Sequence, residues 1–253
     1  MLSQELIRPG GLWRQVQVVQ VTGSTNADLL AEAAAGAAEG CVLVAEEQTA
    51  GRGRLGRQWV SPPGAALTFS VLLRPHDLPP ARRAWIPLLA GVAVATALRR
   101  AAAVDARLKW PNDVLVGGAK LAGILAEQHR DAVVVGVGIN VRLCRQDLPV
   151  PTATSLLLEN ATVTDREQLL GAVLGELEHW YLAEAGARDP ETSGLRAEYL
   201  RHCATVGRQV RVELPGGRTL TGVAADVDAG GRLVVRSSSG LTSVSAGDVV
   251  HVR

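Results

Sequence analysis

A short segment rich in glycine and arginine is the strongest chemical signal in the sequence. Gly51 to Arg57 reads GRGRLGR, and Gln58 and Trp59 follow it. Glycine lets a backbone approach a ligand closely and expose its N–H groups, while arginine forks bind carboxylate and phosphate oxygens. The pattern differs from the phosphate-binding P-loop and from the dinucleotide fingerprint, which a helix must follow directly. It therefore indicates an anion-binding loop, with a solvated turn or a nucleic-acid contact as the alternatives.

Both lysines of the protein lie in a second segment. Lys109 and Lys120 are the only lysines among 26 basic residues. Of the residues between them, Asp113 could bind Mg²⁺, and Asn112 could orient the ion or hydrogen-bond to ribose. Lysine presents a compact point charge, so its use here in place of arginine indicates contact with a carboxylate or a phosphate. An ordinary turn beside a charged strand end is the alternative.

The third signal is the strand GVGIN at 136–140. Its glycines would let another backbone or a flat ligand pack on the strand, although a close-packed core strand would read the same way. Three of the four asparagines, Asn26, Asn112 and Asn140, lie in these segments or beside Ser24 and Thr25. This clustering indicates that the three segments share one site.

Hydrophobic periodicity and turn residues predict the elements that carry these segments. Before residue 107 we expect strands at 15–21, 41–48 and 67–74 and helices at 24–39 and 82–100. From 107 to 141, strands follow one another through turns too short for crossover helices, so this part is predicted to be antiparallel.

Two helices and a small β-domain are predicted for the rest of the chain. Thr164 and Glu167 form a capping-box pattern that predicts a helix to about residue 185, and a second helix is expected after Pro190. Short strands with glycine turns from about residue 207 predict a barrel-like domain of roughly 45 residues.

Composition excludes several classes of protein. The 253 residues are 47% hydrophobic and carry a net charge of +1, which is typical of a globular protein and lacks the basic excess of a nucleic-acid coat. The cysteines, Cys41, Cys144 and Cys203, are far apart and form no zinc pattern, so we expect a reduced cytoplasmic protein. The N-terminus has no apolar leader, and the stretch 85–98 is too short to span a bilayer.

Taken in order, the motifs GSTN, AEEQTAGRGRLGRQW, KWPNDV, KLAGIL and GVGIN, followed by a small β-domain, resemble those of the biotin protein ligases. The resemblance covers about residues 15 to 200 and, by texture alone, the C-terminal domain. It implies an α+β fold: a central mixed β-sheet flanked by helices, of the class II synthetase-like type, then a C-terminal SH3-like β-barrel. We expect a catalytic domain at 1–205 and an SH3-like domain at 206–253.

The resemblance also implies the reaction. The carboxylate of biotin attacks the α-phosphate of ATP to give biotinyl-5′-AMP and pyrophosphate, and a lysine of a biotin carboxyl carrier protein, a subunit of a biotin-dependent carboxylase, then takes the biotinyl group. Joining two anions fits the cationic segments above, because Mg²⁺ and fixed positive charges offset their repulsion.

Site residues follow from the motifs by the same resemblance. Those implied to bind biotin are Ser24, Thr25, Gln48, Gly51, Arg52, Arg54, Lys120 and Gly123. Those implied to bind ATP or the adenylate are Arg54, Arg57, Trp59, Asn112, Asp113, Lys120 and Asn140, with Trp59 covering adenine. Lys120 and Arg54 are the expected catalytic residues, and Asp113 is the expected Mg²⁺ ligand.

Some members of the family carry an N-terminal DNA-binding domain and repress an operon. Because about 23 residues precede GSTN, too few for such a domain, we expect a ligase without DNA binding, and a mobility shift on a biotin operator would overturn this. We expect no membrane association and a monomer or a weak, ligand-induced homodimer. The alternatives are a lipoate or octanoyl ligase and, from another class, a non-enzymatic nucleic-acid-binding module.

Overall fold

Two β-sheets organise the chain in the computed structural model, which describes residues 2, 11–187, 191–214 and 216–252. The strands of the larger sheet are β1 (Gln15–Thr22), β2 (Cys41–Gln48), β3 (Ala66–Leu73), β4 (Arg107–Lys109), β5 (Asp113–Val116), β6 (Ala119–His129) and β7 (Ala132–Asn140). They lie in the order β1-β2-β3-β7-β6-β5-β4. Among these strands β1 and β2 pair in parallel, and the other neighbours are antiparallel.

Helices cover both faces of this sheet. They are α1 (Thr25–Ala34), α2 (Ile86–Ala101), α3 (Arg166–Gly186) and α4 (Leu195–His202). Side chains alternate along a strand, so in β3 Phe69 and Val71 join the large core formed with α2 and α3. Leu72 packs instead with Leu29 of α1 in a smaller cluster on the opposite face. The polar side chains of β3 that matter below, Thr68 and Ser70, alternate onto the α1 face.

Local capping chemistry sets the helix ends and corrects two predictions. The side chain of Ser24 caps α1, but the helix stops at Ala34 instead of continuing to residue 39, because Gly36 adopts a left-handed φ of 94°. The predicted Thr164–Glu167 capping box is wrong: Asp165 is the N-cap of α3, and its carboxylate accepts from the amides of Glu167 and Gln168.

One further helix boundary differs from the prediction, and one predicted helix is found where it was expected. The helix predicted at 82–100 begins as a 3-10 turn over Pro80–Trp85 before α2. The helix expected after Pro190 is α4; Pro190 itself lies outside the described residues.

The C-terminal sheet is antiparallel throughout. Its strands are β8 (Gln209–Glu213), β9 (Thr219–Val227), β10 (Leu233–Ser237), β11 (Gly240–Val244) and β12 (Asp248–His251), in the order β11-β10-β9-β8-β12. The α+β prediction, a mixed sheet flanked by helices and then a small antiparallel β-unit, is confirmed. The exact boundary at 205/206 stays a prediction.

Tryptophan side chains join the C-terminal sheet to the rest of the molecule. The indole N–H of Trp85 donates to the carbonyl of Ala229 at 2.8 Å, and that of Trp110 donates to the carbonyl of Gly231 at 3.0 Å. Both tryptophans are almost fully buried, so these contacts position the C-terminal sheet beside the segment that contains Lys109 and Asp113.

A histidine at the same junction should make stability depend on pH. Burial, with the charges of Lys109 and Arg208, lowers the pKa of His251 from 6.5 to about 4. Between these values the unfolded chain binds a proton that the folded protein does not. Protonation therefore favours the unfolded chain, and the folded protein loses stability as the pH falls from 6.5 toward 4. We expect the free energy of unfolding, measured with urea at several pH values, to decrease as the pH is lowered from 6.5 toward 4.

The comparison variant is His251→Gln, whose side chain can still accept a hydrogen bond from the buried Thr205, 3.1 Å from the imidazole Nε2. The difference in unfolding free energy between the two proteins should change between pH 6.5 and 4. A constant difference across this range would contradict the assignment.

Among the described residues, one helical segment, Pro80–Ala101, is long and apolar enough by length and composition to cross a membrane. It is longer than the stretch 85–98 considered from the sequence. Of the most apolar 18-residue stretch of this segment, 78% is buried inside the protein, and α2 contributes much of the large core. Packing against α3 and the sheet therefore accounts for its apolar character.

Candidate active site

One cleft on the α1 face of the large sheet gathers most of the predicted site residues. Its empty volume, counting the open mouth, is about 790 Å³. The predicted residues that line it are Ser24, Thr25, Gln48, Arg52, Arg54, Arg57, Trp59, Asn112, Asp113, Lys120 and Gly123. Segments far apart in sequence thus meet at one place.

A polar wall forms where the start of α1 meets the end of β2. The main-chain N–H and the hydroxyl of Thr25 both reach Oε1 of Gln48, at 2.8 and 3.0 Å. Ser24 and Thr25 are nearly inaccessible to solvent. Short, fixed hydrogen-bonding groups of this kind suit a small polar ring that enters the cleft from outside.

The glycine-arginine segment is a closed hairpin that covers this wall. Arg52 pairs with Gln58 as an antiparallel bridge, and the Trp59 amide donates to the Gly51 carbonyl at 2.9 Å. A Cβ on Gly51 would collide with the carbonyl oxygen of Trp59, so only glycine fits at the base of the hairpin. Gly51 therefore shapes the loop, although it is not among the residues that line the cleft.

Three charged side chains meet on the opposite wall. Lys120 Nζ lies 2.6 Å from Asp113 Oδ1, and Lys109 Nζ lies 3.9 Å from Asp113 Oδ2. The backbone of Lys120 is held by two hydrogen bonds of 2.8 Å with Thr152 and Thr154. Lys120 therefore projects from a fixed strand, and its side chain, which lines the cleft, remains about one third exposed.

Arg54 and Arg57 connect the hairpin to the rest of the site. Arg54 donates to Oδ1 of Asn112 at 3.0 Å and to the carbonyl of Gly247 at 3.2 Å, while Arg57 forms an ion pair with Asp248 of β12. Burial lowers the pKa of Arg54 from its ordinary value, yet an arginine remains charged at neutral pH. The C-terminal sheet is thus part of the cleft wall.

Asp248 is a site residue that lies in none of the sequence motifs. It lines the cleft from β12. Burial raises its pKa, but the hydrogen bond and charge of Arg57, with the charges of Lys109 and Arg54, outweigh burial and leave the pKa below its ordinary value. Asp248 is therefore an anion that holds the hairpin at neutral pH.

The two glycines of GVGIN make room on the floor of the cleft. A Cβ on Gly136 would overlap the side-chain amide of Asn26, and a Cβ on Gly138 would overlap the indole of Trp59. The indole lies over Gly138 and Gly123, and its buried N–H has no hydrogen-bond partner within the described part of the chain. A ligand atom that accepts a hydrogen bond would satisfy it.

Gly138→Ala should therefore disturb the floor of the cleft. The added methyl group meets the indole of Trp59, and overpacking of this kind costs about 1–3 kcal/mol of unfolding free energy. Urea denaturation followed by tryptophan fluorescence measures both the loss and the altered indole environment. Gly171→Ala is the matched control, because a Cβ there, on α3, meets nothing within 4 Å; equal effects from the two variants would contradict the packing described.

Asn140 lies outside the cleft. Its side chain is buried and donates to the carbonyl of Thr154 at 2.9 Å, so it fastens the 150s loop to the end of β7. The predicted contact of Asn140 with the adenylate stays a prediction. The lining residues that we did not predict are Asn26, Gly53, Leu55, Gln58, Thr68, Phe69, Ile124, Leu125, Gly136, Val137, Gly138 and Asp248. Of these, Thr68, Phe69 and Asp248 lie outside the sequence motifs, and the others lie within them.

Asp113 does not have the surroundings of a metal ligand. Its two carboxylate oxygens face the ammonium groups of Lys120 and Lys109, and within the described ranges no group of three or more His, Cys, Asp or Glu could hold an ion. A divalent cation bound there would lie beside two positive charges. These residues do not fit a protein-held Mg²⁺, and the geometry argues against the predicted role of Asp113.

The arrangement as a whole is suited to reactions between anions. Lys120, Arg54 and Arg57 line the cleft with fixed positive charges, and the polar wall of Thr25 and Gln48 lines the same cleft. Fixed cations stabilise charge that develops on carboxylate and phosphate oxygens in a transition state. The hairpin can shield such a reaction from water.

Two protein families match the chain. Residues 18–143 match the biotin/lipoate A/B protein ligase family, and residues 205–252 match the biotin protein ligase C-terminal domain. The second match coincides with the C-terminal sheet.

Relatives and solved structures are similar over nearly the full length. A biotin–[acetyl-CoA-carboxylase] ligase of Mycobacterium tuberculosis is 46% identical, over 100% of this chain and 94% of that protein. A bifunctional ligase/repressor of Escherichia coli is 32% identical over 92% of this chain and 73% of its own length. The biotin protein ligase of Aquifex aeolicus in complex with biotin and ATP superposes with a TM-score of 0.76 at 25% identity, covering 95% of this chain and 100% of that one.

Proposed function

The chain belongs to the biotin protein ligase family, and from that premise we propose that it attaches biotin to a biotin carboxyl carrier protein. In the first half-reaction a biotin carboxylate oxygen attacks the α-phosphorus of ATP, and the bond to the β-phosphate oxygen breaks, giving biotinyl-5′-AMP and pyrophosphate. In the second, the amine of the carrier lysine attacks the acyl carbon. AMP leaves, the nitrogen loses a proton, and an amide remains.

The observation that carries this proposal is the meeting of the Thr25–Gln48 wall, the arginine hairpin and Lys120 in one cleft. Thr25, Ser24 and Gln48 hydrogen-bond the ureido ring of biotin, with Gly123 alongside it. Lys120 contacts the biotin carboxylate and the α-phosphate, where negative charge accumulates as the new bond forms. Its distance of 2.6 Å from Asp113 gives the ammonium group a partner that orients it.

Arg52, Arg54 and the rest of the hairpin close over biotin and the adenylate. Arg54 contacts the phosphate, and Arg57, Trp59 and Asn112 serve the nucleotide, with Trp59 beside adenine. A mixed anhydride hydrolyses readily, so a closed hairpin preserves it until the carrier lysine arrives.

Mg²⁺ enters with ATP as part of the substrate. This ion prefers phosphate oxygens and its own waters over an all-protein cage, which agrees with the unsuitable surroundings of Asp113. Lys120 and Arg54 then supply the protein's share of the positive charge.

The acceptor is a carrier subunit of a biotin-dependent carboxylase, because relatives such as that of Mycobacterium tuberculosis are biotin–[acetyl-CoA-carboxylase] ligases. We place the enzyme in the cytoplasm, where free thiols persist, since Cys41, Cys144 and Cys203 are all unpaired. DNA binding is not part of the proposed function. A monomer that forms at most a weak, ligand-induced dimer stays a prediction.

Pyrophosphate exchange tests the proposal. The purified protein with Mg²⁺-ATP should incorporate labelled pyrophosphate into ATP when biotin is added, and it should not respond to lipoate or octanoate. Exchange driven by lipoate would assign the chain to the other branch of the biotin/lipoate family, and tight RNA binding without biotin-dependent exchange would favour a nucleic-acid-binding module.

A further inference from the structure

Behind the Thr25–Gln48 wall lies a chain of hydrogen-bonded polar side chains to which the proposed reaction assigns no role. It runs from Glu127 on β6 through Asn26 on α1 to Ser70 on β3. Asn26 is 4% exposed and Ser70 is fully buried. Buried polar groups must find partners, and the partners available dictate which atom donates and which accepts.

Glu127 fixes the orientation of the Asn26 amide. Nδ2 of Asn26 donates to the Leu125 carbonyl at 3.1 Å and to Glu127 Oε2 at 2.8 Å. Both of these partners are acceptors, so the amide cannot turn over without placing oxygen against oxygen. Oδ1 of Asn26 must therefore face Ser70, whose Oγ lies 2.6 Å away.

Ser70 in turn fixes the hydroxyl of Thr25. Ser70 has one hydroxyl proton, and Asn26 Oδ1 requires it. The Thr25 hydroxyl oxygen lies 2.7 Å from Ser70 Oγ but receives no proton from it. Its own proton points to Ser70 Oγ or to Gln48 Oε1, and Gln48 Oε1 is itself held by the Thr25 amide.

The Thr25 hydroxyl oxygen is consequently left as a hydrogen-bond acceptor for a ligand in the cleft. The amide N–H groups of Gln48 point away from Thr25. A cyclic urea supplies the complement, because its N–H groups donate and its carbonyl accepts. A plain acyl tail has no N–H group to offer the Thr25 oxygen, and leaving a buried acceptor unpaired is costly.

We propose that Glu127, Asn26 and Ser70 are positioning residues for biotin: together they fix the direction of the Thr25 hydrogen bond and so select a ligand that carries an N–H group. This inference rests on the proposed function. The same oxygen, Glu127 Oε2, also binds Arg52 of the hairpin at 3.0 Å, so one carboxylate joins the ureido wall to the loop that closes over it.

The test compares Ser70→Ala, Glu127→Ala and Glu127→Gln with the wild type. Calorimetric titration gives the Kd for biotin without ATP, and adenylation rates at saturating biotin give kcat and the KM for ATP. Ser70→Ala and Glu127→Ala should each raise the biotin Kd about 10-fold, the effect of one hydrogen bond, and leave kcat and the ATP KM within about twofold. Glu127→Gln keeps an oxygen for Asn26 and should recover most of the lost affinity.

Thr96→Ala is the control. It also deletes a buried hydroxyl, one on α2 that has no partner within the described part of the chain, and it should leave biotin binding unchanged. Glu127 is partly exposed, so its variants are expected to fold even if Ser70→Ala does not.

Two results would overturn the inference. One is wild-type biotin affinity in both Ser70→Ala and Glu127→Ala. The other is a parallel loss of biotin affinity, ATP affinity and kcat, which would indicate general damage. If the wild-type protein itself bound no biotin, the proposed function would fail first, and the two failures are therefore distinguishable.

Discussion

Lys120→Ala should reduce the rate of biotinyl-AMP formation by about 10²- to 10³-fold, the range for loss of one fixed group that stabilises developing charge. The ammonium group is the cation that the KLAGIL strand presents to the cleft, and Asp113 holds it at 2.6 Å. Because its backbone hydrogen bonds with Thr152 and Thr154 do not involve the side chain, the fold should survive. Single-turnover formation of biotinyl-AMP from ATP and biotin measures the effect.

Lys109→Ala is the matched control for this result. Lys109 is the only other lysine in the sequence, and its ammonium lies farther from the shared carboxylate, at 3.9 Å. We expect a markedly smaller loss of rate from Lys109→Ala. Wild-type adenylation by Lys120→Ala, or equal losses from the two variants, would remove Lys120 from the catalytic role.

Arg54→Gly should release the intermediate. Arg54 links the hairpin to Asn112 and to the Gly247 carbonyl, and each hydrogen bond to a charged group contributes about 1.5–3 kcal/mol. Arg54→Gly removes both links, which loosens the hairpin, and it also removes the expected phosphate contact. Biotinyl-AMP should then dissociate about 10- to 100-fold faster, which dialysis or filter binding of labelled adenylate can measure, and the escaped adenylate should label lysines of unrelated proteins.

Arg57→Ala gives the comparison. It breaks the ion pair with Asp248 but keeps the Arg54 links, so its effect on release should be smaller. Retention of the adenylate by Arg54→Gly at the wild-type rate would show that the hairpin is held by other contacts.

Much of the site could be predicted from the sequence because its chemistry is local to a few motifs. The glycine-arginine segment, KWPND and KLAGIL each place charged or hydrogen-bonding side chains within a few residues of a strand end. The sheet then brings the strand ends together. The central strands could be predicted for a similar reason, since a short continuous apolar run such as VVVGV is typical of a strand buried on both faces.

What the sequence did not reveal depends on contacts between distant segments. Asp248 enters the cleft only because buried Trp85 and Trp110 bind the C-terminal sheet in place. In the sequence Ser70 looks like an ordinary strand residue. Asn140, despite its place in GVGIN, donates its side-chain hydrogen bond to Thr154 of the 150s loop. Helix ends also depend on single residues: α1 ends just before Gly36, which has a positive φ, and Asp165 rather than Thr164 is the N-cap of α3.

The most direct test of biotin transfer is the intact mass of a biotin carboxyl carrier domain after incubation with this protein, ATP, Mg²⁺ and biotin. We predict a gain of one biotinyl group per carrier, which disappears when ATP or biotin is omitted and when the target lysine of the carrier is replaced by arginine. An unchanged carrier mass under the complete conditions, or the same gain without ATP, would contradict the account.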